Sequence, residues 1–341
     1  MADSGDARAT IVVVARDRFS KAQESLESVF ANTPEPFELV YVDAGSPRAV
    51  RRWLEAEADR RGFTLLRHDH YLPPNEARRI GAAGAKTDYV VFLDNDVLVA
   101  PGWLAKLIGC ADETGAAIVG PLTCEGGFDK IHFAGGEVAI HEEGTNGGTV
   151  RRVRDKMYHP QRSVDAVRDE LRRRECSLAE YHAVLVRRSS LQAVGGPDPA
   201  MLSTRDHSDL CLEVMQQGGT VWFEPESVVA FLGTLPLEPR DMHFYALRWS
   251  DEWQRRSLEH FREKWDLADD EFFRERLKRL DWRRRNAIVG PIARRVTLGR
   301  ATAKAEALLA PIEHRVNAWI ARRNSDAREA AGSPAPPASR A

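Results

Sequence analysis

Cysteine is scarce in this chain. The 341 residues contain four, at 110, 124, 176 and 211, with no Cys-x-x-Cys pair and no zinc spacing. That excludes a disulfide scaffold and reads as reduced, mostly buried thiols of a cytoplasmic protein. Net charge is nearly absent too. Lys and Arg number 49 against 51 Asp and Glu, a balance of −2, so no overall field attracts nucleic acid. No run of 18 apolar residues occurs, so no single helix is expected to cross a bilayer. Met1 to Thr10 is polar and acidic and lacks the apolar core of a secretory signal. Internal repeats are missing as well, and the length suits one large domain or two modest ones.

What is present is alternation. Ile11–Val14, Phe37–Val42, Phe63–Leu66 and Tyr89–Leu93 are short apolar runs rich in β-branched and aromatic residues, as in strands buried on both faces. Between them lie helical patterns, the first from Ser20 with Gln23 as capping-box partner, then Pro47–Arg61 and Asn75–Ala85. Strands alternating with helices predict a mostly parallel, right-handed sheet flanked by helices, with a Rossmann-like nucleotide-binding half over 10–100. A second half over 101–235 follows. It contains a helix from Pro101, a strand at Ala116–Val119, hairpins or loops within 123–155 and a charged, exposed helix at Val164–Arg174. Strands at Tyr181–Val186 and Val221–Phe223 flank a helix at Ser208–Gln217. Residues 1–9 are expected to be flexible, 236–325 a helical extension, and 326–341 a disordered tail rich in proline and small residues.

The strand Tyr89–Leu93 stops at Asp94, Asn95 and Asp96. Carboxylates at i and i+2 past a buried strand stand at the carboxyl end of a sheet, where open α/β folds bind ligands. Hard divalent cations take oxygen ligands, and Mg²⁺ is commonly held by one or two carboxylates plus substrate phosphates. Further motifs accompany the pair in order: a first strand with a polar loop (Ala15, Arg16), a second strand ending Val-Asp-x-Gly-Ser at Asp43, a helix carrying Ala77, Arg78 and Gly81, and a downstream acidic motif at Asp206-His207-Ser208-Asp209.

In this combination the chain resembles glycosyltransferase family 2, of the GT-A fold, over residues 10–232. The resemblance implies sugar transfer from a nucleotide-diphospho-sugar to a hydroxyl of a glycan or lipid-linked acceptor, with inversion and a divalent cation, Mg²⁺ or Mn²⁺. It implies a base contact for Asp43, whose competing role is helix capping. Ala15, Arg16 and Asn95 would also meet the nucleotide. Arg78 would neutralise diphosphate, for which a guanidinium is well shaped. Asp96 would hold the cation, and Asp94 would share that role and touch ribose or sugar. Asp206 is the expected general base. His207 is its rival because it fills the second acidic position of the family pattern, while Asp209 reads as structural. Departures are Ala44 in place of a second polar residue, Arg79 in place of Asn, and Phe231 where many relatives supply a histidine. His243 is a conceivable substitute for that histidine.

Two other functions compete. A nucleotidyltransferase would need a glycine-rich triphosphate loop after the first strand, and Ala15–Phe19 contains no glycine. A catalytically silent sugar-nucleotide or glycan-binding subunit fits the missing histidine and the altered acidic motif. The extension is basic, with ten Lys and Arg against two Glu between Arg283 and Arg323. Its helix from Ala301 to Arg323 would dock on its own domain or on a twin subunit. Alternatively it would lie on an anionic membrane surface at the inner face of a membrane.

Overall fold

The computed structural model describes residues 7–145, 148–300 and 302–332. The strands are β1 (Ala9–Val14), β2 (Glu38–Ala44), β3 (Thr64–His68), β4 (Tyr89–Asp94), β5 (Val97–Val99) and β6 (Ile118–Glu125). After them come β7 (Ile131–Phe133), β8 (Gly136–Thr145), β9 (Gly148–Met157), β10 (Arg174–Cys176), β11 (Ala183–Arg187) and β12 (Val221–Phe231). The main sheet runs β10-β12-β6-β11-β4-β1-β2-β3, with β5 on β12 and β7 on β6, while β8 and β9 form a separate hairpin.

The nucleotide half behaves as its alternation requires. β1 pairs in parallel with β2 and β4, and β2 with β3. Along β1, Val12 and Val14 pack to one face with Ala77 and Leu210. Ile11 and Val13 pack to the other with Leu26, Leu54 and Trp103. Both faces are therefore covered by helices, which is why these strands read as unbroken apolar runs.

Beyond β4 the mostly parallel sheet takes in antiparallel strands, although β12 stays parallel to β6. β11 is antiparallel to both β4 and β6, and β5, β7 and β10 are antiparallel to their neighbours. β11 follows an excursion of hairpin and turns rather than a crossover helix, so nothing forces it to run parallel.

Several local readings change. Ser20 does not cap a helix; its hydroxyl donates to Asp241 at 2.6 Å, and the helix Ala22–Asn32 starts without a side-chain cap. The charged segment 164–174 is one helical turn, Val164–Val167, a 3₁₀ turn and then β10, because Val167 is buried and anchors it. β12 is far longer than Val221–Phe223, continuing past a register shift between Glu224 and Val228. The last helix, Thr302–Ala330, runs through Pro311 and six residues beyond Asn324. Asn324 and Arg328 do not end it because both pack inward, reaching Tyr71 and Glu76. Of the flexible stretch expected at 1–9, Ala9 is in β1 and fully buried, and residues 1–6 lie outside the described residues. The rest of the expected tail, 333–341, also lies outside them.

Gly81 explains part of the helix motif. A Cβ there would stand 2.3 Å from Val12 Cγ1 and 3.0 Å from Val42 Cγ2. The helix Pro74–Ala82 thus presses its backbone onto β1 and β2, which fixes the position of Arg78. Gly81→Ala is expected to destabilise the fold by about 1–3 kcal/mol through overpacking, although alanine favours helix by about 1 kcal/mol. Chemical denaturation measures the sign, and a stabilised variant would show that the strands can yield.

Candidate active site

The site grows from the register of β1 and β4. Val14 and Asp94 are partners at the ends of these strands, so the loop after β1 leaves the sheet beside the acidic pair. The Asn95 N–H donates to the Val14 carbonyl at 2.9 Å and locks this junction. On the other side the Asp94 N–H donates to the His182 carbonyl at 3.0 Å, just ahead of β11. The Leu232 N–H donates to the Asp96 carbonyl at 2.9 Å, bringing in the end of β12. Elements distant in sequence therefore meet at three consecutive residues.

Their side chains form a buried charge network. Arg78 is fully buried and donates to Asp94 Oδ1 at 2.8 Å, Asp206 Oδ2 at 3.0 Å and Asn75 Oδ1 at 3.0 Å. Its guanidinium also lies 3.8 Å from the centre of the Tyr181 ring, which adds cation–π attraction. Arg16 approaches Asp94 Oδ2 at 3.3 Å, and His182 Nδ1 lies 3.2 Å from the same oxygen. Asp206 Oδ1 meets His207 Nδ1 at 3.3 Å. Burial alone would raise the Asp206 carboxyl, but the His207 hydrogen bond and the Arg78 charge hold it well below the usual carboxylate range.

Asp96 is different. It has no solvent exposure, neither carboxylate oxygen has a hydrogen-bond partner, and its nearest cation, Arg18 Nε, is 3.8 Å away. Burial, reinforced by Asp17 and Asp94, pushes its pKa well above the ordinary value. A buried carboxylate without donors is costly unless a cation or proton completes it. These residues fit a divalent cation on that ground. Both side-chain polar atoms of Asn95 are likewise buried without partners.

Arg16, Asp17, Asp206 and His207 open onto a cavity of about 560 Å³, which Trp249 of the extension also lines. Trp249 Nε1 donates to Asp17 at 2.9 Å. Ala15 is buried at the head of the loop. Asp43 lies apart from the network, at the end of β2. Its oxygens accept from the Ser46 N–H, the Ser46 hydroxyl and Arg67, the last at 2.6 Å. His243 is not among these contacts; its ring stands 5.5 Å from that of Tyr71. Asp209 accepts from Lys264 and Trp265 at 2.8 Å each, a brace between its helix and the extension.

Sequence reasoning missed His132, Glu180 and His182, which line the same cavity. Glu180 and His182 carried a signal, since an i, i+2 pair ahead of a strand mirrors Asp94 and Asp96. His132 carried none, because only the return of β7 onto β6 brings it near.

Removing the central guanidinium tests the network. Arg78→Met would remove the shared partner of two buried carboxylates, leaving Asp94 to Arg16 and Asp206 to His207, and is expected to cost about 3–5 kcal/mol of folding stability. Urea unfolding would read this, and a loss below about 1 kcal/mol, the scale of a surface ion pair, would show that the network is not structural.

The chain resembles known proteins in sequence and in fold. The family model described as "Glycosyl transferase family 2" matches residues 10–193, more than half of the chain. The pre-mycofactocin glycosyltransferase of Mycobacterium tuberculosis is 27% identical over 224 residues, covering 65% of this chain. The chain spans 42% of that relative's length. Two solved structures share the fold. GalNAc-T7 with UDP, GalNAc and Mn²⁺ aligns at a TM-score of 0.51 and 18% identity, over 81% of this chain and 56% of that one. The mannosyltransferase PcManGT of Pyrobaculum calidifontis, in complex with GDP-Man and Mn²⁺, gives 0.50 and 15%, over 98% and 77%. The match over 10–193, on a GT-A architecture with the acidic pair at the end of β4, places the chain in glycosyl transferase family 2.

Proposed function

We propose that this chain transfers one sugar, with inversion, from a nucleotide-diphospho-sugar to a hydroxyl of a glycan or lipid-linked acceptor. The observation that carries the reading is the Arg78 bridge. It joins the acidic pair of the donor side to the acidic motif of the acceptor side within one buried network beside one cavity. Solved relatives contain UDP or GDP-Man with Mn²⁺, which supports a nucleotide-sugar donor and a divalent cation here. Asp94 and Asp96 would hold the cation, which when bound offsets charge on the departing diphosphate. Arg16 reaches the cavity and suits a phosphate contact. Arg78 is fully buried against carboxylates, so its part is to position them. Asp43 keeps a lone pair on Oδ1 beside Ser46 and Arg67 and can still accept from a base N–H.

The acid–base assignment favours the rival residue. Asp206 is held in its ionised form by Arg78 and His207, which makes it a weak proton acceptor. His207 faces the cavity with one ring nitrogen bound to Asp206, an orientation in which the carboxylate fixes the tautomer and the other nitrogen can take a proton. We therefore assign the acceptor hydroxyl's proton to His207, with Asp206 as its positioning residue. A panel of nucleotide-sugars with Mn²⁺ should identify a donor by thermal stabilisation. His207→Ala is then expected to keep donor binding while losing about 10²–10⁴-fold in transfer rate, partly restored by added imidazole. A dead Asp206→Asn beside a near-normal His207→Ala would return the base to Asp206. No stabilisation by any donor would overturn the transferase reading.

The acceptor surface has support in the last helix. It docks through Asn317, Ile320, Ala321, Asn324 and Arg328, leaving Leu308, Ile312, Val316 and Trp319 exposed as an apolar stripe. Lys304, Arg315, Arg322 and Arg323 are also exposed on it. An apolar stripe with a tryptophan and flanking cations suits an anionic lipid surface, where a lipid-linked acceptor would reside. Among the described residues no helix is long and apolar enough to cross a membrane. Ile312→Asp with Trp319→Asp should abolish co-sedimentation with phosphatidylglycerol vesicles without unfolding the chain. Equal sedimentation of variant and parent would remove the membrane from this reading.

A further inference from the structure

We propose that His132, Glu180 and His182 form a second divalent-metal site, separate from the acidic pair and suited to borderline ions such as Zn²⁺ or Co²⁺. One ligating atom from each side chain falls within 4.8 Å of the other two. The Nε2 atoms of His132 and His182 lie 3.2 and 3.8 Å from the same oxygen, Glu180 Oε2. That oxygen is buried without a hydrogen bond, as is His182 Nδ1, although each has charged groups nearby. The His182 side chain is 2% exposed, so its place is built rather than a surface accident.

The outward-facing nitrogens strengthen the case. Metal-ligating histidines usually turn their second nitrogen to a carboxylate or carbonyl, which fixes the ring. Here His182 Nδ1 faces Asp94 Oδ2 at 3.2 Å and His132 Nδ1 faces Glu125 Oε2 at 3.7 Å. Phe231 lies against the His182 ring with centroids 4.0 Å apart, walling one side. Two imidazoles and one carboxylate select Zn²⁺ and its neighbours over Mg²⁺, which prefers all-oxygen sites. Three protein ligands leave coordination positions open, and all three residues line the cavity shared with Asp206 and His207. A water or an acceptor oxygen would fill them. Through His182 the site also touches Asp94, so its occupancy would be felt on the donor side.

The test uses the full chain, stripped with a chelator and desalted, then titrated with Co²⁺ by visible absorption and with Zn²⁺ by calorimetry. One equivalent of each is expected to bind, with d–d bands for Co²⁺, and millimolar Mg²⁺ should not displace it. His132→Ala and Glu180→Gln, checked for folding by circular dichroism, should weaken Zn²⁺ binding at least tenfold. Asp96→Asn should leave it intact. The proposal is overturned if the parent chain binds neither ion or if folded His132→Ala binds as tightly as the parent. It also fails if Asp96→Asn abolishes binding that His132→Ala retains.

Discussion

One guanidinium, that of Arg78, sets the terms for the rest of the site. A charged group with no solvent exposure survives only where its surroundings replace water, since an unpaired buried charge costs several kcal/mol. Asp94 and Asp206 supply that replacement from opposite sides, and Asn75 adds a neutral acceptor. Arginine is the residue for this place because its planar fork presents several donors in fixed directions, which a lysine ammonium cannot. The fork is aimed by the helix Pro74–Ala82, and that helix is seated by Gly81 against β1 and β2. The chain of dependence thus runs from a missing side chain, through helix depth, to the alignment of two acidic motifs.

The extension packs onto the sheet and its loops rather than standing apart from them. Asp241 accepts from the Phe19 and Ser20 N–H groups and from the Ser20 hydroxyl, pinning the segment after the first loop. Trp249 reaches Asp17, and Arg248 donates to Ser203 at 2.5 Å. Lys264 and Trp265 brace Asp209. Each of these buried side chains makes at least one hydrogen bond, which offsets part of its desolvation. Among these groups Asp17, Ser203 and Trp249 line the cavity. The last helix then docks by polar pins, Asn317 on the Ala246 carbonyl and Arg328 on Glu76. Polar docking leaves its apolar stripe unspent.

The sequence by itself determined the first four strands and the acidic pair that follows them. β1, β2 and β4 were legible because each is short, apolar, bounded by turn residues and largely buried, and the edge strand β3 by its place in the alternation. Asp94 and Asp96 were legible because their position past a buried strand is a local fact. Tertiary structure decided what local pattern could not carry. The antiparallel insertion of β11, the length of β12 and the loss of the expected helix near 164–174 depend on partners far away in the chain. So does the helix Thr302–Ala330, where Leu308, Val316 and Trp319 have core spacing yet face outward. Spacing reports a face and says nothing of what covers it. Tertiary structure alone also buried Arg78 against Asp94 and Asp206, set His207 on Asp206 and gathered His132, Glu180 and His182. The physical reason is common to all of these: charge and hydrogen-bond partners are satisfied in space, and only the folded sheet brings residue 78 to 206 or 132 to 182.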